Sequence, residues 1–169
     1  MSVPGRAGIG QGIPATIYYG TMDLRRATLD DLPLLVPLFD AYRQFYRQPG
    51  DPDRAERFLR ERLAAGESVI FLALADGRGV GFVQLYPSFW SVAACRAWIL
   101  NDLFVTTEHR KSGVGRALLE RARLHAIETG AGGLQLATER TNLSAQRLYE
   151  SHGWRRDHEY CHYDLPLTD

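Results

Sequence analysis

The stretch Ala97–Arg116, AWILNDLFVTTEHRKSGVGR, decides how the rest of the chain is read. It opens with the dense apolar run Ala97-Trp98-Ile99-Leu100, is interrupted by Asn101-Asp102, and resumes with Leu103-Phe104-Val105. A run so rich in aromatic and branched side chains predicts a strand buried on both faces. Through Thr106-Thr107-Glu108 it reaches Arg110-Lys111-Ser112-Gly113-Val114-Gly115-Arg116, which leads into the helical pattern ALLERARLHAIE. Strand, glycine turn and helix start together predict a pyrophosphate-type anion site. The glycines admit close backbone approach, the first amides of the helix lack intrahelical partners, and the macrodipole favours negative charge. A surface turn with solvated cations is the plainer alternative; the strand before, the helix after and the cations on both sides weigh against it. The dinucleotide fingerprint G-x-G-x-x-G lacks its third glycine, because Leu118 stands there, and G-x-x-x-x-G-K-[ST] is absent. The expected anion is therefore not a nucleoside triphosphate.

Arg110-x-x-Gly113-x-Gly115 after an apolar strand resembles the acetyl-CoA signature of the GCN5-related N-acetyltransferases. Downstream, the segment from Thr141 to Trp154, TNLSAQRLYESHGW, resembles the second conserved block of that family, and the two motifs stand in family order. The likeness extends from about Leu24 onward, and Leu100–Val105 is most similar to the polyamine, thialysine and Hpa2-like branch. The resemblance implies a single α/β domain: a mixed, mostly antiparallel twisted sheet flanked by helices. It implies a homodimer, acetyl-CoA as cosubstrate, and acetyl transfer in a ternary complex to a primary amine of a small molecule (a polyamine or amino acid) or to a lysine-like side chain. Coenzyme contacts are implied for Leu103, Phe104 and Val105 on the strand and for Arg110, Lys111, Ser112, Gly113, Val114, Gly115 and Arg116 in the turn. Further contacts are implied for Asn142, Ala145 and Tyr149.

Amide formation from a thioester needs a neutral amine, a stabilised oxyanion and a proton for the departing thiolate, with much of the rate supplied by proximity. By resemblance, the backbone amide of Phe104 or Val105 serves the oxyanion, and Tyr149 protonates the thiolate. The alternative for Tyr149 is a core tyrosine one turn from Ala145; its spacing of two helical turns from Asn142 favours catalysis. Asn142 reads both as a helix cap and as a contact for the pantetheine arm. Polyamine-type relatives commonly carry a glutamate where this chain has Asn101, so that base does not carry over. Asp102 is adjacent, and strand neighbours face opposite sides. One of Asn101 and Asp102 must therefore face inward and find a polar partner. Asp102 is a candidate base, a candidate anchor for a substrate cation, or a strand-end carboxylate; ordered water is the remaining route for the amine proton. The missing glutamate also admits a non-catalytic acyl-CoA-binding module.

The chain has 169 residues, which suits one domain with a full core. Lys plus Arg and Asp plus Glu, 20 of each, cancel, so no general electrostatic case for nucleic acid exists. No apolar stretch approaches a membrane span, and no signal-peptide core is visible. Cys95 and Cys161 form no framework, which points to a reducing cytoplasm and two inert core thiols. His158-Glu159-Tyr160-Cys161-His162 matches H-E-x-x-H, but zinc chemistry needs that motif on a helix. Here it reads as an aromatic strand with both histidines on one face, and no metal is expected.

In chain order, residues 1–20 read as a flexible arm, with Ile17–Tyr19 a candidate for pairing at a sheet edge, and 21–169 as the domain. Leu24–Ala27 predicts a first strand, with Thr28 and Asp31 as a capping-box variant. A helix is expected from Asp30 to Tyr46, with Pro33 in its first turn and a kink at Pro37. A second is expected from Asp53 to Ala65, with Ala55, Phe58, Leu59 and Leu63 on one face. The resemblance makes these helices the wall of the acceptor site, where Tyr42, Phe45 and Tyr46 line a pocket or pack the core. Ser68–Ala75 and Gly79–Tyr86 predict strands joined at Asp76-Gly77-Arg78-Gly79, followed by a longer connection over Pro87–Arg96. The helix after the glycine turn should run from Gly113 to Thr129, turning Val114, Leu118, Ala122 and Ala126 inward with Leu119 and Ile127 beside them. Leu134–Thr138 predicts a strand, Asn142 caps a short helix, and last strands are expected from Trp154 to about Leu167.

Overall fold

The computed structural model describes residues 16–19 and 22–167. Among these the chain runs β1 (Thr16–Tyr19), β2 (Met22–Arg26), α1 (Leu32–Phe45), α2 (Pro52–Ala64), β3 (Val69–Ala75) and β4 (Arg78–Trp90). It continues as β5 (Cys95–Val105), α3 (Val114–Glu128), β6 (Gly133–Gln135) and α4 (Leu143–Glu150). The six strands form one sheet in the order β1-β2-β3-β4-β5-β6. Neighbours are antiparallel except β5 and β6, which are parallel and joined through α3. This is the mixed, mostly antiparallel α/β domain expected from the sequence. The arm expected over 1–20 contains β1, paired on β2 with Ile17 opposite Leu24; residues 1–15 lie outside the described residues.

Two apolar layers cover the sheet. On one face α3 packs Val114, Leu118, Ala122 and Ala126 against Phe71, Val83, Leu85 and Leu100. On the other, α1 and α2 pack Leu35, Phe39 and Leu59 against Leu72, Phe82 and Phe104. Double coverage is why β3 is buried along nearly its whole length. The inward row of α3 falls where its helical period places it, whereas Ile127 is turned out and 60% exposed.

The central strand departs from uniform burial at one point. Gln84 pairs with Asp102 and Leu85 with Leu100, which leaves Asn101 as an extra, exposed residue in β5. A bulge of this kind resets the alternation of side chains. Trp98 and Leu100 face α3 before it and Leu103 and Val105 face α3 after it, so Asp102 and Phe104 turn toward α1.

Three expected boundaries move. β4 runs through Pro87 to Trp90, and the connection shrinks to a turn over 91–94. Pro87 is tolerated because β3 reaches only to Val69 opposite Leu85, leaving that end of β4 paired with β5 alone. β6 stops at Gln135 rather than Thr138. Residues 154–167 form neither strand nor helix and are largely exposed, Cys161 among them, so it is not a core thiol. The extended run breaks where the Asp157 carboxylate accepts the amides of Glu159 and Tyr160, a local turn that competes with strand pairing.

Gly81 stands opposite Val105 at the centre of the sheet, and a Cβ there would lie 2.7 Å from the Phe104 carbonyl oxygen and 3.3 Å from Leu118. Gly81→Val should therefore destabilise the fold by about 2 kcal/mol. Thermal denaturation checks this: a midpoint several degrees below wild type is expected, and an unchanged one would show that the strands separate freely.

Candidate active site

The site begins where the sheet opens. β6 pairs with β5 only at Ala97, Trp98 and Ile99, so from Leu100 onward β5 has lost that neighbour. The Thr106 amide donates to the Val80 carbonyl at 2.9 Å. Alternation along the strand then turns the Phe104 amide toward β4 and the amides of Leu103 and Val105 toward the split. Of the two oxyanion donors expected from the sequence, Phe104 is thus engaged in the ladder and Val105 is available. The Val105 carbonyl accepts Arg110 Nε at 3.1 Å, tying the strand end to the turn that follows.

That turn is shaped for an anion. Lys111 and Gly113 have φ of 62° and 94°, and Gly113 occupies the N-cap of α3 without a side-chain cap. The first helical bond is from Ala117 to the Gly113 carbonyl, so the amides of Val114, Gly115 and Arg116 lie at the open end of α3. Lys111, Ser112 and Arg116 are exposed around them. Ser112 donates to the His109 carbonyl at 2.6 Å and stiffens the loop. A Cβ on Gly115 would lie 3.2 Å from Leu148 of α4 and 3.8 Å from Val105, so this glycine is the point where loop, strand and α4 meet.

α4 arrives from the α3 face. Asn142 caps it, its Oδ1 accepting the Ala145 amide at 3.2 Å. Tyr149 packs against the α3-side core and lies 6.1 Å from the Trp154 ring. Burial, with a smaller contribution from Tyr46, pushes its phenol up to about 12, so it holds its proton at neutral pH.

The opposite wall belongs to α1. Tyr42 packs edge-on to Phe82 and Phe104, and Tyr46 edge-on to Tyr42 at 5.1 Å. Beneath them Asp102 is 4% exposed. Its Oδ2 accepts Gln84 Nε2 at 2.6 Å and its Oδ1 accepts Asn101 Nδ2 at 3.0 Å. Burial raises the Asp102 pKa, and Gln84, Tyr42 and Asn101 oppose the rise without cancelling it. Burial and the neighbouring Asp102 raise Tyr42; burial and Glu139 raise Tyr46. Gln84 Nε2 is shared with the Tyr86 phenol at 2.8 Å, while the fully buried Gln84 Oε1 has no partner among the described residues. Tyr149 packs on the α3 side of the sheet and Tyr46 ends α1 on the other side, so the split lies between them.

The structure therefore brings Asn101, Asp102, Val105 and Tyr149 to one opening, with the glycine turn at its end. Sequence reasoning missed Gln84 and Tyr86. The signal was present: Gln84 is a lone amide inside the apolar run GFVQLY, and such a residue in a buried strand must be serving a polar partner. His158 and His162 lie in the exposed segment with no helix to bring them together. Among the described residues, no group of three or more His, Cys, Asp or Glu is placed to hold a metal ion. Among them too, no helix is long and apolar enough to cross a membrane.

A split sheet with an uncapped glycine turn at its mouth sets an open strand edge beside an anion site, an arrangement suited to a transferase with a phosphate-bearing donor. More closely, the chain belongs to the acetyltransferase (GNAT) family, whose pattern matches residues 35–154. It is 46% identical over 144 residues to the uncharacterized N-acetyltransferase YhfO of Bacillus subtilis, covering 85% of this chain and 97% of that one. It is 30% identical over 150 residues to a probable acetyltransferase of Haemophilus influenzae, with 87% and 99% covered. The crystal structure of a probable acetyltransferase superimposes with a TM-score of 0.82 at 47% identity, covering 86% of this chain and 98% of that one. Acetyl-CoA is the acetyl donor of the family.

Asp102 has a consequence for stability. Its folded pKa lies above the ordinary value of 3.8, so the folded state binds the proton more tightly than the unfolded one. Stability contributed by this group is then lost as pH rises from that ordinary value through the raised folded one. Asp102→Asn removes the loss. Melting curves should show the variant gaining on wild type as pH rises from about 4 toward neutrality; a constant difference across that range would remove burial as the dominant effect.

Proposed function

We propose that this protein transfers the acetyl group of acetyl-CoA to a primary amine, that of a small cationic molecule or a lysine-like side chain. What supports the reading is the grouping at one split of the Val105 amide and the buried Asp102 carboxyl, both of β5, with the Tyr149 phenol of α4. The coenzyme fits the residues present. The amides of Val114, Gly115 and Arg116, with Arg110, Lys111, Ser112 and αL Gly113, make an anion cradle for a pyrophosphate. The open backbone edge of Leu103 and Val105 suits an extended amide-bearing arm, with Asn142 and Ala145 on its other side. Bound there, acetyl-CoA supplies an activated thioester.

The protein's own groups divide the proton work. Asp102 accepts the proton that the amine loses, directly or through ordered water; its raised pKa makes it a stronger base than an exposed carboxylate. Asn101 is a positioning residue, holding Asp102 Oδ1 through its amide. The Val105 amide is the donor available for the developing oxyanion. As the nitrogen–carbon bond forms and the carbon–sulfur bond breaks, Tyr149 gives its proton to the departing thiolate.

Titration with coenzyme A followed by thiol release across an amine panel tests the reading. Saturable binding without release for any amine would sink it. Within that assay, Tyr149→Phe should lower kcat by about 10²-fold while coenzyme affinity stays near wild type. Wild-type turnover in the variant would leave Tyr149 a packing residue only.

A further inference from the structure

The helices of this protein end alike, with one exception. α2, α3 and α4 each close on a left-handed glycine, Gly66, Gly130 and Gly153, at φ of 65°, 67° and 82°. In each, that residue's amide bonds back three residues and the next amide bonds back five. α1 closes with the same pair, Arg47 to Gln44 and Gln48 to Arg43, yet the left-handed position at φ 65° is an arginine. A side chain is disfavoured at that backbone conformation, so its presence calls for a reason in what the side chain touches.

It touches Glu139. Arg47 Nη1 lies 3.1 Å from Glu139 Oε1, across the split from β5. Immediately before Arg47, Tyr46 packs edge-on to Tyr42, one turn back, and Tyr42 packs edge-on to Phe82 and to Phe104 of β5. The end of α1 therefore bridges the opening, with Asp102 deep, the tyrosines between, and the Arg47–Glu139 pair at the rim. The two partners are held unequally. The Glu139 backbone is anchored through its carbonyl by the Asn142 amide and by Gln146 Nε2 at 3.1 Å, and Thr141 Oγ1 approaches its carboxylate at 3.5 Å. The Arg47 side chain is 78% exposed. An exposed ion pair contributes little, so another cation can take the place of Arg47 at small cost.

We infer that Glu139 is a specificity-determining residue for an acceptor with two positive charges. The reacting nitrogen goes toward Asp102, and the second cation replaces Arg47 on Glu139. Arg47 is an internal competitor that holds the rim closed until such an acceptor arrives. This rests on the acetyl-transfer reading and narrows its substrate to diamines and diamine-like molecules.

The test compares kcat/KM for an alkyl diamine and for the monoamine of equal chain length, in wild type, Glu139→Gln and Arg47→Gly. Wild type should prefer the diamine. Glu139→Gln should lower that preference about fivefold, and Arg47→Gly should raise it by a similar factor, as expected for exposed charge pairs. Arg47→Gly keeps the fold because glycine suits its backbone, and an undiminished melting midpoint confirms it. An equal preference in wild type and Glu139→Gln, or no diamine preference in wild type, overturns the inference while leaving acetyl transfer standing. Should no amine release thiol although coenzyme A binds, acetyl transfer itself fails. Calorimetric titration of the diamine into the coenzyme A-saturated protein then decides on Glu139: tighter binding by wild type than by Glu139→Gln supports it, and equal binding overturns it.

Discussion

One extra residue in the central strand sets the rest of the site. Without Asn101 as a bulge, the two-residue period that turns Trp98 and Leu100 toward α3 would turn Asp102 the same way, into the apolar layer of Val83, Leu85 and Leu118. With it, Asp102 faces α1 and meets Gln84 and Tyr42, while Leu103 and Val105 rejoin the α3 side. The bulge residue is itself used, since its amide donates to the carboxylate it has redirected. A backbone irregularity and a hydrogen bond thus carry one instruction, and neither alone would hold an acid in the middle of a sheet.

The second constraint is the loss of the β6 ladder after Ile99. A strand that loses a neighbour exposes amides and carbonyls that must be satisfied. Here Arg110 takes one of them, the Val105 carbonyl, and stacks its guanidinium 5.6 Å from the Phe45 ring. The anion turn is thereby joined to the end of α1, which also carries Tyr42, Tyr46 and Arg47. The aromatic end of α1 and the glycine turn are consequently joined through Arg110, and the turn comes close to α4 where Gly115 faces Leu148.

Much of this was legible in the amino-acid order, and the reasons for the gaps are physical. The strand–glycine–helix reading of Ala97–Arg116, the Asn142 cap and the inward row of α3 follow from local chemistry and period, which the sequence carries directly. The direction of Asp102 was open because parity depends on a bulge that only the pairing with Gln84 and Leu85 reveals. That the Phe104 amide faces the ladder and the Val105 amide faces the split depends on a tertiary bond, from Thr106 to Val80. The strands expected after Trp154 failed for a different reason. Alternating aromatic residues promise an extended chain only if an edge takes them, and Asp157 offered its neighbours a nearer partner. Gln84 was readable in principle, because a lone amide in a buried strand always implies something it must bond.

On the proposed reading, the acid and the base of this site are separated by consequence rather than by cause. Burial is the first influence on both Asp102 and Tyr149, and it raises both. For a phenol already protonated at neutral pH the rise changes nothing in its charge; it secures a proton donor that stays loaded, though a reluctant one until a thiolate of high basicity forms beside it. For a carboxyl the same direction of change makes a stronger base. Gln84, Tyr42 and Asn101 oppose the rise, and removing any of them would push Asp102 further up. The network therefore acts from two sides: burial raises the group, and its polar neighbours hold the rise back. The Gln84 amide nitrogen serves both Asp102 and Tyr86, and its oxygen is left without a partner among the described residues.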